Sequence, residues 1–103
     1  VISIPGDSMI TLDLGHKAVA AESELTKRVT FINAPEARIL SQSEEHLVLE
    51  VGKGHAFHIG DVLYGLPKHI CPTVALYDRA ATVSANRFTD VWKISSRNRI
   101  INI

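Results

Sequence analysis

Cysteine is almost absent from this chain of 103 residues, where Cys71 stands alone. One thiol closes no intramolecular disulfide, so the fold must rest on its core, and a reducing compartment, the cytoplasm, is expected. An excess of charge of either sign is also missing. Eleven Lys and Arg balance eleven Asp and Glu, and like charges never run beyond pairs such as Lys27-Arg28 and Glu44-Glu45. No basic stripe is available to a phosphate backbone, so nucleic acid is not expected as a partner. Long apolar runs are lacking too: none approaches the ~20 residues that span a bilayer, so no membrane is expected. The opening Val1-Ile2-Ser3-Ile4-Pro5-Gly6-Asp7 has neither the basic segment nor the apolar run of a targeting signal. No repeat, low-complexity tract or interdomain linker is visible. Nucleophile elbow, Walker loop and dinucleotide fingerprint are likewise absent.

What is present suits one core. A chain of this length buries roughly two-thirds of its unfolded surface, so residues 1–103 are expected to form a single domain. Ile10, Leu12 and Leu14 alternate with Thr11 and Asp13, the period-2 signature of a half-buried strand ending at Gly15. The stretch 16–27 has room for one or two helical turns. Residues 29–32 read as a short strand stopped by Asn33-Ala34-Pro35. Residues 38–40 and 47–51 flank the polar segment 41–46 and predict a hairpin. Further strands are expected at 62–64, 74–77, 80–84 and 88–94, with Asn86 suited to a positive-φ turn position. The fold class is therefore all-β or mainly β: a small antiparallel barrel or sandwich-like domain with at most one or two short helices.

Few residues offer chemistry. His69 and Cys71 lie two apart, and on an extended backbone their side chains share a face. Imidazole with thiolate favours zinc over magnesium or calcium. Two ligands fall short of a closed structural site, so this pair suits an open one completed by water, substrate or another segment. A buried cysteine beside a hydrogen-bonded histidine is the plain alternative, and spacing alone favours it. His55 and His58 read as solvated loop residues, while His46, after two glutamates in the hairpin loop, stays open between a turn role and a functional one. Asp13, His16 and Lys17 end a strand at a glycine turn, where side chains can be presented to a cleft.

Four segments in this order resemble one family: Asp13-Leu14-Gly15-His16-Lys17-Ala18, Ser43-Glu44-Glu45-His46, Gly60-Asp61-Val62 and His69-Ile70-Cys71-Pro72-Thr73-Val74-Ala75-Leu76-Tyr77-Asp78. The closing Asp90-Val91-Trp92-Lys93-Ile94, followed by Arg97, extends the likeness. The family is that of the D-threonine aldolases and D-serine dehydratases, pyridoxal-phosphate enzymes related to alanine racemase.

The resemblance implies an N-terminal β/α barrel, upstream of this chain, that carries the cofactor lysine and phosphate site. This chain would be the C-terminal β-domain, inactive alone, working within its own barrel's polypeptide and a homodimer. It implies a divalent metal, zinc or manganese, on His69 and Cys71, and an active-site mouth lined by Asp13, His16 and Lys17. Lys17 would not be the Schiff-base lysine. The implied reaction cleaves small D-β-hydroxy amino acids to glycine and an aldehyde; loss of hydroxide would instead make a dehydratase, to which cysteine at the second ligand position is closer. A non-catalytic dimerisation or metal-binding domain is the third class, and a racemase the weakest, having no need of a hydroxyl-binding metal. Ala75 departs from the asparagine common in the family.

Overall fold

The computed structural model describes residues 1–103. Eight strands form three antiparallel sheets, two of which enclose one small core while the third stands outside it. The largest holds β1 (Ser3–Gly6), β2 (Met9–Leu12), β5 (Leu47–Glu50) and β4 (Arg38–Gln42), in the order β1-β2-β5-β4. Alternation works as expected in β2 and β5, where Ile10, Leu12, Leu47 and Leu49 are buried and their neighbours are not. The register sets Ile10 and Ile39 on either side of Leu49, a continuous apolar row across three strands.

β4 gains one residue by a bulge. Ile39 pairs with Leu49 and Ser41 with Val48, so Leu40 is the extra residue. The bulge also sets Gln42 opposite Leu47, on the inner face. There its amide nitrogen reaches the carbonyls of Leu14 (3.5 Å) and Val19 (3.4 Å), and its oxygen accepts from Arg28 Nη1 at 2.8 Å.

Val29 and Phe31 of β3 (Val29–Phe31) cover that face, joined by Val19 and Ala34. β3 pairs with β6 (Gly65–Pro67), not with the strand expected at 62–64. A Cβ on Gly65 would stand 2.7 Å from Val29 Cγ1, so only glycine lets this ladder close. Residues 62–64 run beside Asn33 instead, whose side chain donates to the Val62 carbonyl (2.9 Å) and accepts from the Tyr64 amide (2.8 Å).

Within 16–27 the helical content is a single 3₁₀ turn, Leu25–Lys27. It is preceded by a tight turn in which the Ala18 and Val19 amides donate to the Gly15 carbonyl at 2.9 and 3.1 Å. Gly15 is buried against the β4–β5 turn: an added Cβ would lie 2.0 Å from the Glu44 carbonyl oxygen. The His16 amide donates to the Ser43 carbonyl (2.8 Å) and the Lys17 amide to that of Glu44 (3.1 Å).

The strand expected at 74–77 is a helix, α1 (Cys71–Leu76). Pro72 falls in its first turn, where an amide proton has no intrahelical partner to lose. The Val74 amide donates to the Ile70 carbonyl (3.1 Å) and the Tyr77 amide to that of Thr73 (3.2 Å). The Thr73 hydroxyl donates to the Ala18 carbonyl at 2.7 Å, anchoring the helix to the Gly15 turn.

β7 (Arg79–Ser84) and β8 (Arg87–Lys93) form the expected hairpin, turning through Ala85 (φ 49°) and Asn86 (φ 58°). Every residue of β8 is exposed. With extents of 56 × 33 × 19 Å and a radius of gyration of 15.4 Å, the chain is longer than the ~13 Å of a compact domain this size. No helix is long and apolar enough to cross a membrane.

Two substitutions test this account by urea unfolding. Leu49→Ala, in the fully buried row, is expected to cost about 2–5 kcal/mol. Gly15→Ala, which drives a methyl group into backbone, is expected to cost about 1–3 kcal/mol or more; a change under ~0.5 kcal/mol would show that the turn yields freely.

Candidate functional site

The residues singled out from sequence divide between the Gly15 turn and the start of α1. Asp13 follows β2, exposed, at the rim of a cleft of about 600 Å³ whose walls are mostly apolar. Leu12, Phe31 and Val29 form its floor, and Ile70, Thr73 and Tyr77 bring the α1 side into it. Asp61 adds a second carboxylate. An apolar cleft with a few convergent polar groups has the makings of a small-molecule site.

His16 and Lys17 do not line that cleft. Lys17 Nζ lies 2.8 Å from a Glu45 carboxylate oxygen and 3.2 Å from one of Glu44, which fastens the Gly15 turn to the β4–β5 turn. Hydrogen bonding to Glu45, then to Glu44, holds the Lys17 ammonium above the ordinary lysine range, and the bond from Lys17 draws the Glu45 carboxyl down. The Lys17 contribution to stability is complete below the ordinary lysine range and lost as pH rises through the raised value; that of Glu45 is complete above the ordinary carboxylate range and lost as pH falls through the lowered one. All three side chains are well exposed, so the clasp is worth little energetically and matters as geometry.

His69 and Cys71 lie at the start of α1, not on a strand. The shared face expected from an extended backbone is thus replaced by a helix start, with Ile70 between them in αR geometry (φ −78°, ψ −22°). Two virtual bonds still keep their Cα atoms within about 7.6 Å. Cys71 is a free, exposed thiol rather than a core residue. His69 is exposed as well, and its Nδ1 is hydrogen-bonded to Glu22 Oε1. That bond, followed by one from its own backbone, holds the Glu22 carboxyl below its ordinary range.

Imidazole nitrogen and thiolate sulfur fit zinc, and the carboxylate on Nδ1 leaves Nε2 as the ligating nitrogen. No three His, Cys, Asp or Glu side chains of this chain gather around one metal-sized position. His69 and Cys71 therefore supply two ligands at most.

Of His46, His55 and His58, only His55 bonds the backbone through its ring, while the other two contribute their own main-chain amides. His55 Nδ1 accepts from the Phe57 amide (3.2 Å), the His58 amide donates to Asp61 Oδ2 (2.8 Å), and the His46 amide donates to Ser43 Oγ (3.2 Å). Sequence reasoning missed Glu22, 47 positions from its partner, and Thr73, whose role is to seat the helix. No spacing pattern could have found the Glu22 contact, because it depends on the Gly15 turn folding back to α1.

A family model described as a putative serine dehydratase domain matches residues 1–83. D-threonine aldolase of Arthrobacter sp. is 32% identical over 98 residues, which is 94% of this chain and 25% of that protein. The crystal structure of D-threonine aldolase from Filomicrobium marinum superposes with a TM-score of 0.80 at 23% identity, over 95% of this chain and 26% of that one. The chain thus spans about a quarter of these relatives' length, and the mainly β fold is the one seen there. By its family-model match and its aldolase relative, the chain belongs to the D-threonine aldolase and D-serine dehydratase-like family.

Proposed function

We propose that this chain is the C-terminal metal-binding β-domain of a cytoplasmic, pyridoxal-phosphate-dependent lyase that cleaves D-β-hydroxy amino acids to glycine and an aldehyde. Its likeness to a D-threonine aldolase over nearly its whole length carries the proposal. His69 and Cys71, both exposed and two residues apart at the start of α1, support the metal assignment.

When bound, the cofactor withdraws electrons from the substrate's Cα and the divalent ion acts as a Lewis acid toward its β-hydroxyl. His69 Nε2 and Cys71 Sγ would hold that ion, zinc or manganese, with water, substrate or the rest of the polypeptide in the other positions. Asp13 presents a carboxylate at the cleft rim, and the apolar floor excludes water from the substrate's side chain. Lys17, clasped by Glu44 and Glu45, keeps the turn in place and takes no covalent role. The cofactor lysine belongs to an upstream barrel, and the complete enzyme is a homodimer.

Zinc-dependent dehydration is the second reading, favoured by the thiolate donor. The full-length polypeptide, given pyridoxal phosphate, zinc or manganese and D-threonine, is expected to yield glycine and acetaldehyde. Product analysis decides: 2-oxobutanoate with ammonia would move it to the dehydratases, and no metal-dependent turnover would leave a non-catalytic dimerisation or metal-binding domain. His69→Ala and Cys71→Ala are each expected to abolish metal activation while circular dichroism and cofactor absorbance stay unchanged. Full activity with metal still bound in both variants would refute the ligand assignment.

A further inference from the structure

We infer that Glu22 is a positioning residue for His69: its carboxylate accepts the Nδ1 proton and aims Nε2 at a divalent cation held beside Cys71. This deepens the metal assignment proposed above and depends on it.

The geometry has three parts. Glu22 Oε1 is hydrogen-bonded to His69 Nδ1. An ionised carboxylate can only accept, so Nδ1 is the donor, and in the neutral imidazole the lone pair is then on Nε2, the form that ligates metals. Ligating histidines nearly always donate their other N–H to a carboxylate, a carbonyl or water, which fixes ring orientation and raises basicity.

Exposed ion pairs are often incidental. Here, however, both partners are fixed independently of their contact. On the Glu22 side, Arg28 Nε donates to the carbonyl of the next residue, Ser23, at 2.9 Å, while Arg28 Nη1 donates to Gln42 Oε1 at 2.8 Å. The loop is thus tied to β4. On the His69 side, the Thr73 hydroxyl ties α1 to the Ala18 carbonyl at 2.7 Å. Upstream, the Lys68 amide donates to the Arg28 carbonyl at 2.9 Å. Glu22 and His69 therefore meet between hydrogen bonds that hold each backbone in place, as a preorganised ligand requires.

The test is zinc affinity, measured by competition with a chromophoric chelator on the full-length protein loaded with pyridoxal phosphate, with circular dichroism and Tm recorded for each variant. Glu22→Ala is expected to weaken zinc binding roughly 10–100-fold with Tm unchanged. Glu22→Gln keeps an oxygen that accepts the Nδ1 proton but removes its charge, so its affinity should fall between Glu22→Ala and wild type. Should Glu22→Ala fail to fold, Glu22→Gln weaker than wild type at wild-type Tm supports the inference and Glu22→Gln equal to wild type overturns it. Wild-type affinity in a folded Glu22→Ala overturns it as well, and so does Glu22→Gln as weak as Glu22→Ala. His69→Ala separates the two levels: if it binds zinc like wild type, the metal assignment itself is wrong; if it loses zinc while Glu22→Ala keeps it, only the role of Glu22 falls.

Discussion

Everything near the candidate site hangs on one close approach of backbone to backbone, where Gly15 lies against the Glu44 carbonyl with no room for a side chain. The β-sheet fixes Glu44 through the β4–β5 hairpin, and Gly15 follows β2 in the same sheet. Joining them forces the chain to turn sharply and run back across the open face of the core. Two anchors for α1 lie on the segment so directed: the Ala18 carbonyl that receives the Thr73 hydroxyl, and the Glu22 carboxylate that meets His69. A rigid sheet thereby positions two exposed donor residues through a loop that is itself pinned to the core by buried Gly15, Val19 and Ala20.

Three strands of the central sheet, β2, β4 and β5, were legible in the sequence because they bury one face, whereas β1, with no buried residue, was not. Alternation in β2 and β5 and the polar turn between β4 and β5 are direct consequences of pleat geometry. Asn86 was legible for a similarly local reason, since few residue types accept positive φ. The failures are also local in origin. Residues 74–77 read as a strand because Val74, Leu76 and Tyr77 are apolar, yet Pro72 suits a first helical turn and the Thr73 contact to Ala18 decides the outcome through tertiary structure. The strand at 62–64 was displaced to Gly65–Pro67 because a missing Cβ, rather than apolar pattern, lets the backbone close on Val29 and Phe31. At the site, His69 and Cys71 were visible as residue types with suitable chemistry, while the extended backbone assumed for them is a helix start. Glu22 was not visible at all, since its neighbourhood with His69 exists only once the Gly15 turn has formed.

The molecule is uneven along its length. Its buried residues, 11 of 103, belong to the central sheet, β3, the Gly15 turn and the adjoining loops, whereas the β7–β8 hairpin stands outside that core with Val83, Phe88, Val91 and Trp92 exposed. A two-stranded ribbon is marginal in water without packing against something else, so its local stability belongs to the low end of what the fold offers.

One optical consequence attaches to that hairpin. Trp92 is the only tryptophan in these 103 residues and is 67% exposed, so the indole emission of this chain reads the surroundings of β8 and is blind to the row formed by Ile10, Leu49 and Ile39. Indole emission would then follow β8 while circular dichroism follows the backbone of the whole chain, and agreement between them would be evidence that the ribbon and the core melt as one cooperative unit.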